Sequence, residues 1–150
     1  MKKRISVFLA AVLLISVMCG CGSAKSAPEE AVNVVKEMIS ELALSEDENN
    51  YSLNSPSEDE IVFSIYFPGM HEEMTLASLG DERDLKNWNY DIGDMMDMSE
   101  EYTQAVADAG YDGVSVSVAL YSEIERDLLM AYVKNGVLYY DIVSGFDIRK

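Results

Sequence analysis

Hydrophobic residues change their spacing several times along this chain, and each change marks an element. From Ile5 to Val17 no charge occurs, and only Ser6 and Ser16 interrupt the apolar run. From Ala31 the period becomes helical: Ala31, Val35, Met38 and Leu42 recur at three- or four-residue intervals, and Val34 and Ile39 widen the stripe. Pro28 suits a first helical turn, Ser26 offers a cap, and Glu29 and Glu30 complement the positive end of the dipole. These features predict a helix over Pro28–Leu44. Ser45–Ser57 reads as a polar, acidic connection with a short strand near Tyr51–Leu53.

At Ile61 the period falls to two. Ile61, Phe63, Ile65 and Phe67 point one way, Val62, Ser64 and Tyr66 the other, and Pro68-Gly69 ends the strand. Glu73–Leu79 predicts a second strand or a loop, and the stretch Gly80–Asn89 is charged and expected to be exposed. Helical spacing returns with Met95, Met98, Tyr102, Ala105, Val106 and Ala109, predicting a helix over Asp94–Ala109 capped by Asp91 or Asp94 and stopped at Gly110. Val114, Val116, Val118 and Leu120 then alternate with Ser115, Ser117, Ala119 and Tyr121. Ala131–Lys134 and Val137–Tyr140 flank Asn135-Gly136, a pair that accepts the two positive φ angles of a type I′ hairpin turn. Such single-faced alternation argues against a doubly wound parallel sheet. The fold class it predicts is α+β: a two-layer sandwich, an antiparallel sheet of four to five strands with two helices on one face.

The apolar run near the start has the length of a signal-peptide core and is short for a membrane span, which needs about 20 apolar residues. Lys2-Lys3-Arg4 precedes it, and Met18-Cys19-Gly20-Cys21-Gly22-Ser23 ends it. That ending resembles the lipobox of bacterial lipoproteins, in which a small residue precedes the cysteine. The resemblance implies a diacylglycerol thioether on Cys21 and cleavage before it. Gly20 meets the small-residue requirement for Cys21, whereas Met18 does not meet it for Cys19; Met18 also stands where leucine is usual, which predicts slower processing. The expected organisation is therefore a signal peptide over 1–20, a lipidated cysteine and short tether over 21–27, and one α+β domain over 28–150, held on the extracytoplasmic face of the cell membrane. A processed chain would contain no further cysteine, hence no disulfide and no thiol nucleophile.

Charge narrows the partners. The chain holds 11 Lys and Arg against 27 Asp and Glu, a formal −16; loss of Lys2, Lys3 and Arg4 leaves 8 against 27, or −19. A surface of that sign repels nucleic acid, whose binding rests on Lys and Arg facing phosphate. It also keeps a domain soluble, the commoner role of such charge.

Catalytic chemistry is not signalled. Carboxylates abound, but none stands in a recognisable pairing; the single histidine, His71, has no nucleophile motif beside it. The expectation is a non-catalytic domain without a cofactor. Asp91, Asp94 and Asp97 lack the alternation and central glycine of a calcium loop and suit a helix cap and first turn instead. Met70, His71 and Met74 offer thioether and imidazole donors suited to Cu(I), the soft-metal alternative; packing is the commoner fate of Met95 and Met98 on a helical stripe. Nine tyrosines and Trp88 remain. Tyr66, Tyr121, Tyr132 and Tyr140 fall on expected strands, where they would either cover a half-exposed sheet face or present a surface to a protein, peptide or glycan partner.

The lipobox at Cys21, the leading helix, the strand IVFSIYF, and the helix EEYTQAVADAG running into VSVSVALY together resemble small Gram-positive membrane lipoproteins with a C-terminal domain of unknown function. That resemblance implies a fold and a location and no activity.

Overall fold

A computed structural model describes residues 25–42 and 50–149. Cys21, the leader and most of the tether lie outside these residues. In chain order the elements are α1 (Glu29–Glu41), β1 (Tyr51–Ser57), β2 (Glu60–Ile65), α2 (Met70–Ser78), α3 (Glu82–Asp108), β3 (Ser115–Tyr121), β4 (Leu129–Lys134), β5 (Val137–Asp141) and β6 (Phe146–Asp147). The six strands form one sheet in sequential order. The fold is α+β, with one mixed sheet and three described helices.

Three expectations need correction. The sheet has six strands rather than four or five, because Tyr51–Ser57 forms a full strand and Phe146–Asp147 adds a short edge. It is mixed rather than antiparallel: β2 and β3 run parallel, with Phe63 beside Val118 and Ile65 beside Leu120. Two helices separate these strands, and a connection that crosses the sheet returns the chain in the same direction. The predicted second strand or loop at Glu73–Leu79 is helix α2; the stretch Gly80–Asn89 is exposed as expected except at Asp84 and Trp88, and most of it lies in α3.

α3 is 27 residues long. Asp81 caps it, its carboxylate accepting the N–H groups of Arg83 and Asp84 at 3.0 and 3.1 Å. The buried stripe runs Asp84, Trp88, Ile92, Met95, Ser99, Tyr102, Val106, in steps of four and three. Trp88 is fully buried, and its indole N–H donates to the Asp141 carboxylate at 2.9 Å. Ser99 is buried too: its hydroxyl donates to the Val116 carbonyl at 2.6 Å and accepts the Gly136 N–H at 3.2 Å. One helix thereby holds both β3 and the turn between β4 and β5.

The core lies between α3 and the sheet. Ile61, Phe63 and Ile65 of β2, Val116, Val118 and Leu120 of β3, and Val133 of β4 are fully or almost fully buried. The Tyr102 ring stacks on Phe63 with centroids 6.2 Å apart. α1 buries Ala31, Val35 and Ile39, while Leu42, expected in its stripe, is exposed. Its amino end is tied to the sheet edge, where the Ala27 N–H donates to the Ser55 hydroxyl at 2.6 Å. No side chain caps it, so the Ser26 cap is not formed; Asp81 likewise replaces Asp91 and Asp94 as the cap of α3. The hairpin follows expectation, with φ of 48° at Asn135 and 72° at Gly136.

Candidate functional site

The helices cover one phase of the strands; the other phase is a separate surface. Register places Ser64, Ala119, Tyr132, Tyr140 and Asp147 in one row across five strands. Alternation then puts Val62, Tyr66, Ser117 and Tyr121 on that same side. All four candidate tyrosines therefore share the face turned away from the helices. Ser64, Ser117 and Ala119 between them are buried all the same, a floor of small residues beneath long neighbours.

The rings are ordered by one another and by arginine. Tyr66 stacks on Tyr121 with centroids 5.6 Å apart and planes 19° from parallel. The Arg126 guanidinium lies 4.8 Å from the Tyr66 centroid. At the other end of the row the Arg149 guanidinium sits 3.9 Å from the Tyr140 centroid and is held there by the Asp147 carboxylate at 3.0 Å. Tyr132 meets Tyr139 edge-on, centroids 6.2 Å apart. Guanidinium planes over phenol faces gain from the ring quadrupole as well as from contact.

Glu60 organises the middle of this face. Its carboxylate accepts the hydroxyls of Ser117 and Tyr132 at 2.5 Å each, and the Lys134 ammonium lies 3.2 Å away. Burial alone would raise its carboxyl pKa, but the three donors outweigh burial and hold it below the usual carboxylate range. Tyr132 moves the opposite way, its phenol raised by burial and by donation to Glu60. Sequence reasoning missed Glu60, although its even position shares the phase of Val62, Ser64 and Tyr66. Arg126 and Arg149 lie beyond strand ends, where no periodicity marks them.

The three predicted soft-metal donors face different surroundings. His71 Nδ1 is 2.9 Å from the Ser122 hydroxyl, and Met74 is buried with its sulfur 3.9 Å from the Ser78 hydroxyl. Met70 lines a cavity of about 160 Å³ that neither of the other two lines. Both oxygens of Glu123 accept N–H groups at the start of α2, from Gly69 at 2.9 Å and His71 at 3.0 Å. Among the described residues no group of three or more His, Cys, Asp or Glu side chains is arranged to hold a metal ion.

A second polar feature, which no spacing in the sequence marks, lies between α2 and α3. Glu73 Oε1 is buried without a conventional hydrogen-bond partner. The group it faces is another carboxyl, Asp91. Burial first, then the bond to Asp91 and the charges of Asp91 and Asp84, raise Glu73 to about 7; Arg83 opposes the shift. A carboxyl held near that value is partly protonated at neutrality, so Glu73 can donate or accept a proton there.

Comparison of the chain with family models, with curated proteins and with solved structures returned no match. Among the described residues no helix is long and apolar enough to cross a membrane.

Proposed function

We propose that this chain is a lipid-anchored, extracytoplasmic binding domain without catalytic activity, which presents its tyrosine-bearing sheet face to a protein, peptide or glycan. The observation that carries the reading is the gathering of Tyr66, Tyr121, Tyr132 and Tyr140 on one sheet face, with Arg126 and Arg149 laid over two of the rings. Stiff rings already stacked lose little conformational freedom when a partner covers them, and tyrosine and arginine are the residue types that anchor recognition surfaces. The Glu60 network fixes the floor, so the face is preorganised.

The anchor rests on the leader and on Cys21. Six residues lead from Cys21 to Ala27 at the sheet edge, a reach of at most about 22 Å at full extension. The face would thus work close to the bilayer, where a membrane-bound partner is already concentrated.

Two measurements test the two halves. Intact-mass spectrometry of detergent-extracted protein is expected to show cleavage before Cys21 plus acyl chains, lost in Cys21→Ser; an unmodified mass would remove the anchor. Replacing Tyr66 and Tyr121 with Ser is expected to abolish capture of the cell-surface peptide or glycan that the parent retains. Equal capture by both proteins would refute the face.

A further inference from the structure

The cavity of about 160 Å³ lies at the carboxyl ends of the parallel strands β2 and β3, where the chain leaves the sheet for α2 and α3. Crevices beyond the carboxyl ends of parallel strands are where open α/β sheets hold ligands, because the crossover helices diverge there. Its walls are apolar. Ile65 and Leu120 come from the sheet, Phe67 and Met70 from the segment that enters α2, and Met95 and Met98 from α3. Two carboxylates of α3 complete the lining: Asp91, half-buried, and Asp94, exposed to solvent.

A cavity of this size holds a benzene-sized body. Two carboxylates on its lining add what a neutral hydrocarbon would not use. We propose that this cavity is a binding site for a small organic ammonium ion, its alkyl part against Ile65, Phe67, Leu120 and the methionines and its charged head on Asp91 and Asp94. The site is separate from the tyrosine face, being on the helix side of the sheet. Thioether and aromatic walls are polarizable surfaces that accept an alkylammonium well. The chain's −16 charge raises the local concentration of any cation.

The Glu73–Asp91 contact couples this site to protons. Glu73 of α2 faces Asp91, Asp84 and Arg83 of α3, and Glu123 of the β3–β4 loop sits at the amino end of α2. Below neutrality the proton on Glu73, whose carboxyl is raised to about 7 by burial and by Asp91, removes a negative charge beside Asp91. A bound ammonium ion favours the ionised form of Glu73, so binding near neutrality releases a proton. Affinity therefore rises with pH across the range where Glu73 ionises, while an alkylamine, with a pKa near that of lysine at about 10, stays cationic.

The test is titration of the protein with n-butylammonium chloride, followed by NMR of ¹³C-methyl methionine. Shifts of the Met70, Met95 and Met98 methyls, and not of Met38 on α1, are expected, with affinity at least about tenfold higher at pH 8 than at pH 5.5. Asp91→Asn, which also removes the like-charge contact and so should fold well, is expected to lower affinity about tenfold and to weaken the pH dependence, of which burial of Glu73 keeps a part. Asp94→Asn provides a solvent-side variant with no folding cost, expected to weaken binding to a lesser degree. Absence of methyl shifts at 50 mM ligand would overturn the proposal. So would equal shifts with n-butanol, which would make the site a neutral apolar pocket, or tighter response to Ag(I) than to the amine, which would make it a thioether metal site.

Discussion

At the scale of single residues, the least comfortable group in this protein is Glu73. One oxygen is buried, its neighbour is another carboxyl, and its pKa is raised to about 7 from an ordinary 4.5. The native state therefore binds a proton that the unfolded chain releases between those two values. Where the native state holds more protons, stability falls as pH rises. The contribution of this group is greatest below about pH 4.5, declines through neutrality and is gone above about pH 7. Denaturant unfolding from pH 5 to 8 is expected to show that decline, and Glu73→Gln, which keeps the shape and cannot ionise, is expected to flatten it and to leave the variant more stable than the parent at pH 8. A decline of unchanged slope in the variant would place the titration elsewhere.

At the scale of elements, α3 decides the architecture, and it is the element least legible in the sequence. Its second half announces itself through Met95, Tyr102 and Val106. Its first half carries Asn87, Asn89 and Gly93, poor helix formers, and its buried face begins with a charged residue, Asp84, so local propensity points to a loop. The stripe Trp88, Ile92, Met95 continues the same spacing and outweighs it, because Trp88 gains a fully buried site and a bond to Asp141. Strands with strict alternation and the Asn135-Gly136 turn are readable, since both rest on local geometry. Parallel pairing of β2 and β3 is not, as it follows from α2 and α3 both lying between them. The tyrosine face is half legible: parity groups its strand residues, while its arginines and the Glu73–Asp91 contact depend on how distant elements pack. Gly93 gives a direct check on the helix. A Cβ built there meets nothing within 4 Å, and its φ is not positive. Gly93→Ala should therefore recover helix propensity without a clash, raising stability by about 0.5–1 kcal/mol in thermal or denaturant unfolding. Destabilisation would mean that residue 93 is not in a regular helical turn.

At the scale of the whole molecule, charge opposes compactness. The formal −16 is spread over a chain in which only four ion pairs are seen among the described residues, and one of the most exposed, Lys25–Glu58, spans 3.9 Å. Exposed pairs of this kind contribute about 0–1 kcal/mol each, so their loss on screening is small. Self-repulsion among the excess carboxylates outweighs them, and it acts more strongly on the folded state, where charges are closer together, than on the expanded chain. Raising salt from about 10 to about 300 mM shortens the Debye length from roughly 30 Å to under 10 Å. That range begins longer than the spacing between surface charges and ends comparable to it. Tm is therefore expected to rise by several degrees over this interval, and equally in NaCl and KCl at matched ionic strength, because screening does not distinguish the two cations. A Tm that stays flat would show that the acidic groups are already far enough apart to be independent. A rise confined to one salt would point to a bound cation, and the carboxylates of Asp91 and Asp94 would be the first place to look for it.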